Sequence, residues 1–160
     1  MTDLEIVPMT AAHTEAAHAL ELRCFSDPWR AEDFQAAIST PGQIFFAALS
    51  DQKLIGFAGM WQILDEADIL NIAVSPEYRR RGVGQALLQT LCTVGRQNDV
   101  RTFFLEVRAG NLPAQALYRS FSFVPYGTRT AYYKNPREDA VLMRLDLPAC
   151  EDNEYATVQR

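Results

Sequence analysis

The sequence predicts a single α+β domain in which a mixed, mostly antiparallel β-sheet carries helices on both faces. First, 160 residues with 48% hydrophobic and 22% charged side chains are typical of one globular core. Second, some segments have apolar residues at helical spacing, whereas others are rich in Ile, Val and Phe, as strands are. Third, three consecutive strands come before alternating strands and helices. This order favours a mixed sheet over a doubly wound parallel one.

The first quarter of the chain predicts one strand and two helices. Leu4–Pro8 is typical of a short strand, and Thr10–Phe25 of a helix with four apolar residues near its inner face, namely Ala16, Ala19, Leu20 and Leu22. A second helix is predicted to open at Asp27-Pro28, because aspartate caps helices and proline suits the first helical position. That helix ends near Ile38.

The remaining elements follow in chain order. Strands are predicted at 44–49, 54–63 and 67–74, joined by turns at Ser50-Asp51 and near Asp65-Glu66 that suit antiparallel hairpins. A helix at about 82–96 and a strand at 102–108 come next. They are followed by a helix at about 111–120 and strands near 123–130 and 140–145. Residues 1–148 therefore form one predicted domain, and the polar, acidic residues 149–160 are predicted to be a flexible tail.

Charge and cysteine content limit the classes of partner. Fifteen basic and twenty acidic residues give a net charge of −5, which disfavours binding to nucleic acid or to an anionic membrane surface. No apolar run approaches the about 20 residues of a membrane span, and no secretory signal pattern is visible. Cys24, Cys92 and Cys150 form no C-x-x-C pair, which predicts reduced thiols, no metal site and a cytoplasmic protein.

The most informative segment is a strand, a glycine-containing loop and a helix. The strand ends at Val74, and the loop contains Arg79-Arg-Arg-Gly-Val-Gly84. Glycines let the backbone approach a ligand, and the free amides of a helix N-terminus favour phosphate. The segment therefore predicts a site for a pyrophosphate, with a solvated basic turn as the alternative. The chain has no P-loop motif, and Leu87 replaces the third glycine of a dinucleotide fingerprint.

Two side chains downstream are candidates for proton transfer. Glu106 is a lone carboxylate in an apolar and aromatic strand, where it is either a general base or the partner of Arg108 or Arg101. Tyr118 lies on the next helix and can point back toward Glu106, or it is a half-buried core aromatic.

These residues resemble a known family. The loop resembles the R/Q-x-x-G-x-G/A loop of the GCN5-related N-acetyltransferases (GNAT), which holds the pyrophosphate of coenzyme A. Further segments between about Phe25 and Leu145 resemble the RimI enzymes, which acetylate the N-terminal alanine of a small-subunit ribosomal protein. These segments are Leu64-Asp-Glu-Ala67, Asn71-Ile-Ala-Val74, Leu105-Glu-Val-Arg-Ala109 with Asn111, Ala116-Leu-Tyr118, Tyr132-Tyr133 and Arg137-Glu-Asp-Ala140.

The resemblance implies the GNAT fold, acetyl-CoA as the donor and a protein N-terminus as the acceptor. It implies that Glu106 is the base, acting directly or through water, and that Tyr118 donates a proton to the coenzyme A sulfur. The implied acetyl-CoA contacts are the backbone of Ile72, Ala73 and Val74, the loop residues Arg80, Arg81, Gly82, Val83, Gly84 and Gln85, and Asn111, which also suits a helix cap.

Trp29, Tyr132 and Tyr133 are implied acceptor contacts, with Tyr132-Tyr133 expected in a loop before the last strand. The alternative for these tyrosines is an ordinary aromatic pair at a strand end. Asp27 and Arg30 replace the first and last residues of the family's Phe-Pro-Trp-Ser segment, so the lining of the acceptor groove departs from the family pattern. Asp65, Glu66, Asp68, Glu138 and Asp139 could attract a cationic peptide or serve only for solvation.

Three functions are compatible with this sequence. An N-terminal alanine acetyltransferase is favoured by Tyr132-Tyr133 and Arg137-Glu-Asp-Ala140. An acetyltransferase for lysine side chains or small amines would carry the same glycine loop. A coenzyme A-binding module without turnover would need neither Glu106 nor Tyr118.

Overall fold

A computed structural model describes residues 3–148 as a seven-stranded sheet with four α-helices. The strands are β1 (Leu4–Pro8), β2 (Gln43–Ser50), β3 (Lys53–Ile63), β4 (Glu66–Val74), β5 (Thr102–Arg108), β6 (Val124–Tyr133) and β7 (Glu138–Asp146). The helices are α1 (Thr14–Cys24), α2 (Ala31–Ile38), α3 (Val83–Gln97) and α4 (Leu112–Ser120). The predicted tail at 149–160 lies outside the described residues.

The strands are arranged in the order β1-β2-β3-β4-β5-β7-β6. Every neighbouring pair is antiparallel except β4 and β5, which are parallel. A parallel pair needs a crossover connection, and α3 supplies it. The predicted mixed sheet of the α+β class is therefore confirmed.

Two hydrophobic clusters pack on the sheet. One includes residues of α1, α2 and the strands they cover, among them Ala17, Leu20, Phe34, Phe45 and Phe57. The other lies under α3 and extends to α4 and β5, and it includes Val83, Leu87, Leu91, Ile55, Phe103 and Tyr118. Gly59 on β3 is required by this packing, because the ring of Phe45 occupies the place where a side chain at Gly59 would lie. Helices therefore cover both faces of the sheet.

The inner face of α1 differs from the predicted one. Leu20 is buried as expected, but Ala16, Ala19 and Leu22 are exposed. The buried positions are Thr14, Ala17, Leu20 and Glu21. Small alanine side chains give a weak hydrophobic signal, and the hydrogen bonds of the buried Glu21 carboxylate orient the helix instead.

The start of α2 also differs from the prediction. The helix begins at Ala31, and Arg30 is its N-cap residue. The Arg30 amide donates to Oδ2 of Asp33 at 2.8 Å, so the cap comes from a side chain inside the helix. Asp27-Pro28 lies in an irregular segment, because Arg30 is extended (φ −82°, ψ 162°) and the chain therefore cannot be helical from Pro28 onward. In this segment the Trp29 amide donates to the Glu21 carboxylate at 3.1 Å.

Tyr132 and Tyr133 lie in a strand and not in the loop that was expected. They are the last two residues of β6, and Tyr133 pairs with Glu138 of β7. A register shift between Arg129 and Tyr133 interrupts the ladder before them. Most β6 side chains are exposed, so the strand lacks the alternation that sequence patterns detect.

The described residues add three findings on thiols, metals and membranes. Cys24 and Cys92 are free, whereas Cys150 lies outside the described range. Burial raises the pKa of the Cys92 thiol to about 11. No group of three or more His, Cys, Asp or Glu side chains within residues 3–148 is placed to hold a metal ion. No helix in this range is long and apolar enough to span a membrane.

Candidate active site

The parallel pair β4–β5 separates partway along its length. The two strands pair at Glu66 with Thr102, Ala67 with Phe103, and Asp68 with Phe104, and their pairing extends no further within the described residues. Beyond these pairs, residues 69–74 of β4 and 105–108 of β5 border a gap, here called the β4–β5 opening. Both strands remain paired on their outer sides, β4 with β3 and β5 with β7. The opening is therefore a break in the sheet that exposes backbone groups.

The β4 side of the opening presents alternate backbone groups. The Ser75 amide donates to the Ile55 carbonyl at 2.7 Å, so Ser75 faces β3. Because strand residues alternate in direction, Ile72 and Val74 direct their amides and carbonyls into the opening, and Ala73 directs its own toward β3. The Val74 carbonyl accepts from Nε of Arg79 at 3.2 Å. Of the predicted backbone segment, only Ile72 and Val74 thus offer polar backbone groups to a ligand.

The glycine loop ends at the N-terminus of α3. Gly82 is the N-cap residue with φ of +80°, a conformation that glycine adopts without strain. A Cβ placed at Gly82 would have no atom within 4 Å among the described residues, so space is open beside the first amides of α3. At Gly84, a Cβ would already meet Leu117 at 3.5 Å and Val74 at 3.7 Å. The free amides, the open space and the helix dipole suit a bound phosphate group.

The arginines of this loop differ in their contacts. Arg79 is hydrogen bonded to Val74, as described above, whereas the Arg81 guanidinium lies 5.4 Å from the centroid of the Tyr78 ring. Arg80 is exposed and has a positive φ of 63°. Val83, the first residue of α3, is buried, and Gln85 in the same turn is exposed. The loop therefore places its two predicted cationic ligands, Arg80 and Arg81, at the start of the helix.

Glu106 lies on the β5 side of the opening. Its neighbours Leu105 and Val107 are buried on the other face of the sheet, so strand alternation leaves Glu106 on the accessible face. Its Oε1 is 3.8 Å from Nη1 of Arg129, and the side chains are 33% and 57% exposed. Such a pair contributes about 0–1 kcal/mol, so Arg129 leaves the carboxylate available to other groups. The ion-pair partner of Glu106 is therefore Arg129. The alternative considered from the sequence, a pair with Arg108 or Arg101, is wrong.

The two tyrosines of β6 lie beside Glu106. The interaction of the Tyr132 hydroxyl with the Glu106 carboxylate raises the pKa of Tyr132, and partial burial adds to this. Burial and then the nearby Glu106 carboxylate raise the pKa of Tyr133 to about 12. Their rings contact each other at a centroid distance of 5.0 Å. The structure therefore brings these predicted acceptor contacts together with the predicted base.

Tyr118 approaches the same region from the other side of the sheet. Its ring packs on Phe123 at a centroid distance of 5.9 Å, within the cluster under α3. Burial raises the pKa of Tyr118, and the neighbouring Tyr133 adds to this rise. Tyr133 is therefore close to both Tyr118 and Glu106. A raised pKa keeps the phenol protonated near neutral pH, so the Tyr118 hydroxyl carries its proton there, although it is a weaker acid than an exposed tyrosine.

Trp29 is positioned by α1 and by the aromatic cluster under α2. Its ring lies 5.2 Å from Phe34 and 5.8 Å from Phe45. Its amide donates to Oε2 of Glu21, and its carbonyl lies 2.8 Å from Nδ1 of His18. Trp29 is half-buried, so it forms part of the core under the α1–α2 loop as well as part of its surface.

Three polar residues connect the elements around the site, and none of them was predicted to be a site residue. The Nδ2 of Asn71 donates to Oε1 of Glu21 at 2.9 Å, which links β4 to α1. Burial raises the pKa of Glu21, although the Trp29 amide and His18 act to lower it. Gln115 donates to the carbonyls of residues 108 and 109 at 3.0 and 2.9 Å, which fixes the β5–α4 junction. Glu21 shares the buried face of α1 with Ala17 and Leu20 at helical spacing, so this spacing could have indicated from the sequence that Glu21 is buried.

Asn111 and the acidic residues have distinct positions. Asn111 is the N-cap of α4 and accepts from the Ala114 amide at 3.2 Å, which confirms the predicted cap. Burial, followed by repulsion from Glu106 and Glu66, raises the pKa of Asp68. Glu138 is bonded to Arg108 and Gly110, and Asp139 accepts from the Ala131 amide at 2.7 Å. Glu138 and Asp139 therefore hold the β6–β7 turn, and Asp68 stands close to the opening.

Comparison with known proteins identifies relatives over most of the chain. Residues 14–123 match the model of the acetyltransferase (GNAT) family. Ribosomal protein bS18-alanine N-acetyltransferase of Escherichia coli (strain K12) is 39% identical over 136 residues, which cover 82% of this chain and 90% of that protein. N-alpha-acetyltransferase RimI of Mycobacterium tuberculosis is 35% identical over 144 residues, which cover 86% and 89%.

Solved structures share the same architecture. The crystal structure of the ribosomal-protein-S18-alanine N-acetyltransferase from Escherichia coli superimposes with a TM-score of 0.86 at 35% identity, covering 94% of this chain and 98% of that one. Arabidopsis thaliana NAA60 in complex with acetyl-CoA superimposes with a TM-score of 0.83, covering 90% and 98%. At 21% identity, the second likeness concerns the fold alone.

Proposed function

The chain belongs to the GNAT family of acetyltransferases, and we propose that it transfers the acetyl group of acetyl-CoA to the N-terminal α-amine of an alanine-initiated ribosomal protein. One observation carries this proposal. The β4–β5 opening has a phosphate-suited loop at one end, Glu106 on one face and Tyr118 packed from the other. This arrangement supplies a donor site, a base and an acid around one gap.

The donor side suits acetyl-CoA in charge and shape. Free amides at the start of α3, together with Arg80 and Arg81, would hold the pyrophosphate beside the open space at Gly82. The backbone groups of Ile72 and Val74 would pair with the pantetheine arm as a neighbouring strand does. Asn111 would add a contact from the start of α4. When bound, acetyl-CoA supplies the activated acetyl group.

The proton transfers are assigned to two side chains. Glu106 takes the proton from the acceptor amine, directly or through water, so that the neutral amine attacks the thioester carbonyl. The Ile72 amide, which faces the opening, is placed to stabilise the oxygen that becomes negative. Tyr118 then gives its proton to the departing sulfur. Base and acid approach from opposite faces, so the acceptor and the leaving group do not compete for one position.

The acceptor end is assigned to aromatic residues on the Glu106 side. Tyr132 and Tyr133 would contact the first residues of the incoming chain, and Trp29 would border them from the α1–α2 loop. Asp68, with Glu66 nearby, gives this side a negative character that favours an amine over an anionic acceptor. We further propose that the protein acts in the cytoplasm, on protein rather than on nucleic acid or membrane.

A panel of short peptides tests the proposed acceptor. Peptides that begin with Ala, Ser or Met, and an acetyl-blocked Ala peptide with an internal lysine, are incubated with acetyl-CoA and analysed by mass spectrometry. We expect one added acetyl group at the α-amine of the Ala peptide and none on the blocked peptide. Acetylation of the blocked peptide alone would show that the acceptor is a lysine side chain. Absence of acetylation on all four peptides would contradict a peptide acceptor.

Glu106→Gln is expected to lower kcat/KM for the Ala peptide about 100-fold at pH 6 and about 10-fold at pH 8.5. The base matters most where the acceptor amine is charged, that is, below its pKa of about 7.7–8.0. The measurement is a pH–rate profile from pH 6 to 9, with the exposed Glu15→Gln as a matched control. An equal loss at every pH would assign Glu106 a structural role.

A further inference from the structure

Arg108, the last residue of β5, has the most hydrogen bonds of any cationic side chain within residues 3–148. Its Nη1 donates to the Pro136 carbonyl at 3.0 Å and to Oε1 of Glu138 at 3.2 Å. Its Nη2 donates to the Lys134 carbonyl at 3.0 Å and to Oγ of Ser26 at 3.4 Å. A guanidinium presents its donors as a rigid planar fork, so these bonds fix their partners relative to one another.

The partners belong to the two segments that border the acceptor end. Ser26 lies in the α1–α2 loop, three residues before Trp29. Lys134 and Pro136 lie in the β6–β7 turn, directly after Tyr133. One side chain therefore holds the α1–α2 loop and the β6–β7 turn together, across 82 residues of sequence in the case of Ser26.

Arg108 also supports a ring inside the candidate site. Its Cζ lies 4.4 Å from the centroid of the Tyr133 ring, which is within the range of a cation–π interaction. Tyr133 is the residue that is close to both Glu106 and Tyr118. The guanidinium plane thus limits the orientations of a ring that adjoins the base and the acid.

Glu138 extends this arrangement to the start of α4. Its Oε2 accepts from the Gly110 amide at 2.6 Å, while its Oε1 pairs with Arg108. The side chains of Glu138 and Arg108 are each only 26% exposed, so salt screens this pair less than a surface pair. The β6–β7 turn is therefore bonded to β5 and to the β5–α4 junction.

We propose that Arg108 is a positioning residue for the acceptor, which holds the α1–α2 loop and the β6–β7 turn at a fixed separation and orients Tyr133. This inference rests on the proposed function, because that function defines the acceptor end. None of the Arg108 hydrogen bonds described above involves the glycine loop or the backbone groups of Ile72 and Val74. Its loss therefore weakens the use of the acceptor and leaves the binding of acetyl-CoA intact.

Arg108→Lys is expected to raise KM for the Ala peptide about 10-fold, with kcat reduced less than about 3-fold. Lysine keeps the positive charge but has neither the planar fork nor a flat face to stack on Tyr133. Steady-state kinetics with the peptide and acetyl-CoA varied separately give both KM values. The KM for acetyl-CoA is expected to change less than about 2-fold. A merely structural role would lower the thermal midpoint without separating the two KM values.

Two further variants isolate the proposed contacts. Ser26→Ala removes only the bond to the α1–α2 loop, so it is expected to raise the peptide KM about 2–3-fold in the wild-type background. In the Arg108→Lys background it adds nothing, because the bond is already lost. Arg101→Lys, a matched change at the opposite end of β5 on an exposed side chain, leaves both KM values unchanged. If Arg108→Lys fails to fold, Ser26→Ala tests the inference by itself. An unchanged peptide KM in Ser26→Ala would then overturn the inference.

The failure of this inference is distinguishable from failure of the proposed function. If the wild-type protein acetylates the Ala peptide and Arg108→Lys keeps its peptide KM within about 2-fold, the inference alone is overturned. If the wild-type protein acetylates no peptide, hydrogen exchange measured without any acceptor tests the inference instead. Faster exchange in both 24–30 and 131–137 of Arg108→Lys supports the link between the two segments, and unchanged exchange in either of them overturns it.

Discussion

Tyr118→Phe is expected to lower kcat for the Ala peptide about 100-fold or more, because it removes the proton donor for the departing thiolate. Phenylalanine keeps the ring that packs against Phe123, so the fold and the acetyl-CoA site are retained. The measurement combines steady-state kinetics with acetyl-CoA titration by calorimetry. The Kd for acetyl-CoA is expected to change less than about 3-fold.

A matched control for this substitution is Tyr126→Phe. Tyr126 is 50% exposed on β6 and contacts Phe104 and Arg144. Phe104 lies where β5 is still paired with β4, outside the opening. This substitution also removes one hydroxyl group, and we expect it to leave kcat unchanged. Turnover by Tyr118→Phe at the rate of this control would remove Tyr118 from the role of proton donor.

Gly82→Trp is expected to abolish the binding of acetyl-CoA. A saturating ligand at about 100 times its Kd stabilises a protein by about 2.7 kcal/mol, which corresponds to about 5–10 °C in the thermal midpoint for a domain of this size. The wild-type protein should show this rise with acetyl-CoA. The indole of Gly82→Trp would enter the space beside the first amides of α3, which is open in the protein itself. Thermal unfolding with and without acetyl-CoA measures the difference.

Gly82→Ala separates occlusion from backbone strain. Both substitutions place a side chain at a φ of +80°, so both lower the midpoint of the unliganded protein. Only tryptophan is large enough to fill the ligand space. We therefore expect acetyl-CoA to raise the midpoint of Gly82→Ala and not that of Gly82→Trp. An equal rise in both variants would contradict the assignment of the pyrophosphate to this loop.

Local sequence signals located most of the elements. The strand at 102–108 and the Asn111 cap were predicted at the observed positions, and the helix after the glycine loop begins within one residue of its predicted start. Caps, glycine conformations and apolar spacing act between residues that are close in the chain, so single segments carry them. The GNAT fold and the acetyltransferase class, which were implied by Arg79–Gly84 and the further motifs, are confirmed by the family match and the relatives.

The errors occurred where distant residues decide local structure. The Asp27-Pro28 signal did not start α2, because Arg30 is extended and is itself the N-cap, while the Trp29 amide before it donates to the buried Glu21 of α1. The alternative considered for Glu106, an ion pair with Arg108 or Arg101, was also wrong. Arg129 reaches Glu106 from β6, and the pairing of that strand is set by β7 rather than by its own exposed residues.

The sequence by itself determined which residues are available for chemistry. It identified a glycine loop at a helix start, a lone carboxylate in an apolar strand and a tyrosine on the following helix. Only the tertiary structure decided how these residues meet. The separation of β4 from β5 creates the opening, and Arg108 joins segments that are distant in the chain. Strand separation and multiple hydrogen bonds to one guanidinium depend on packing between segments, and no local pattern encodes them.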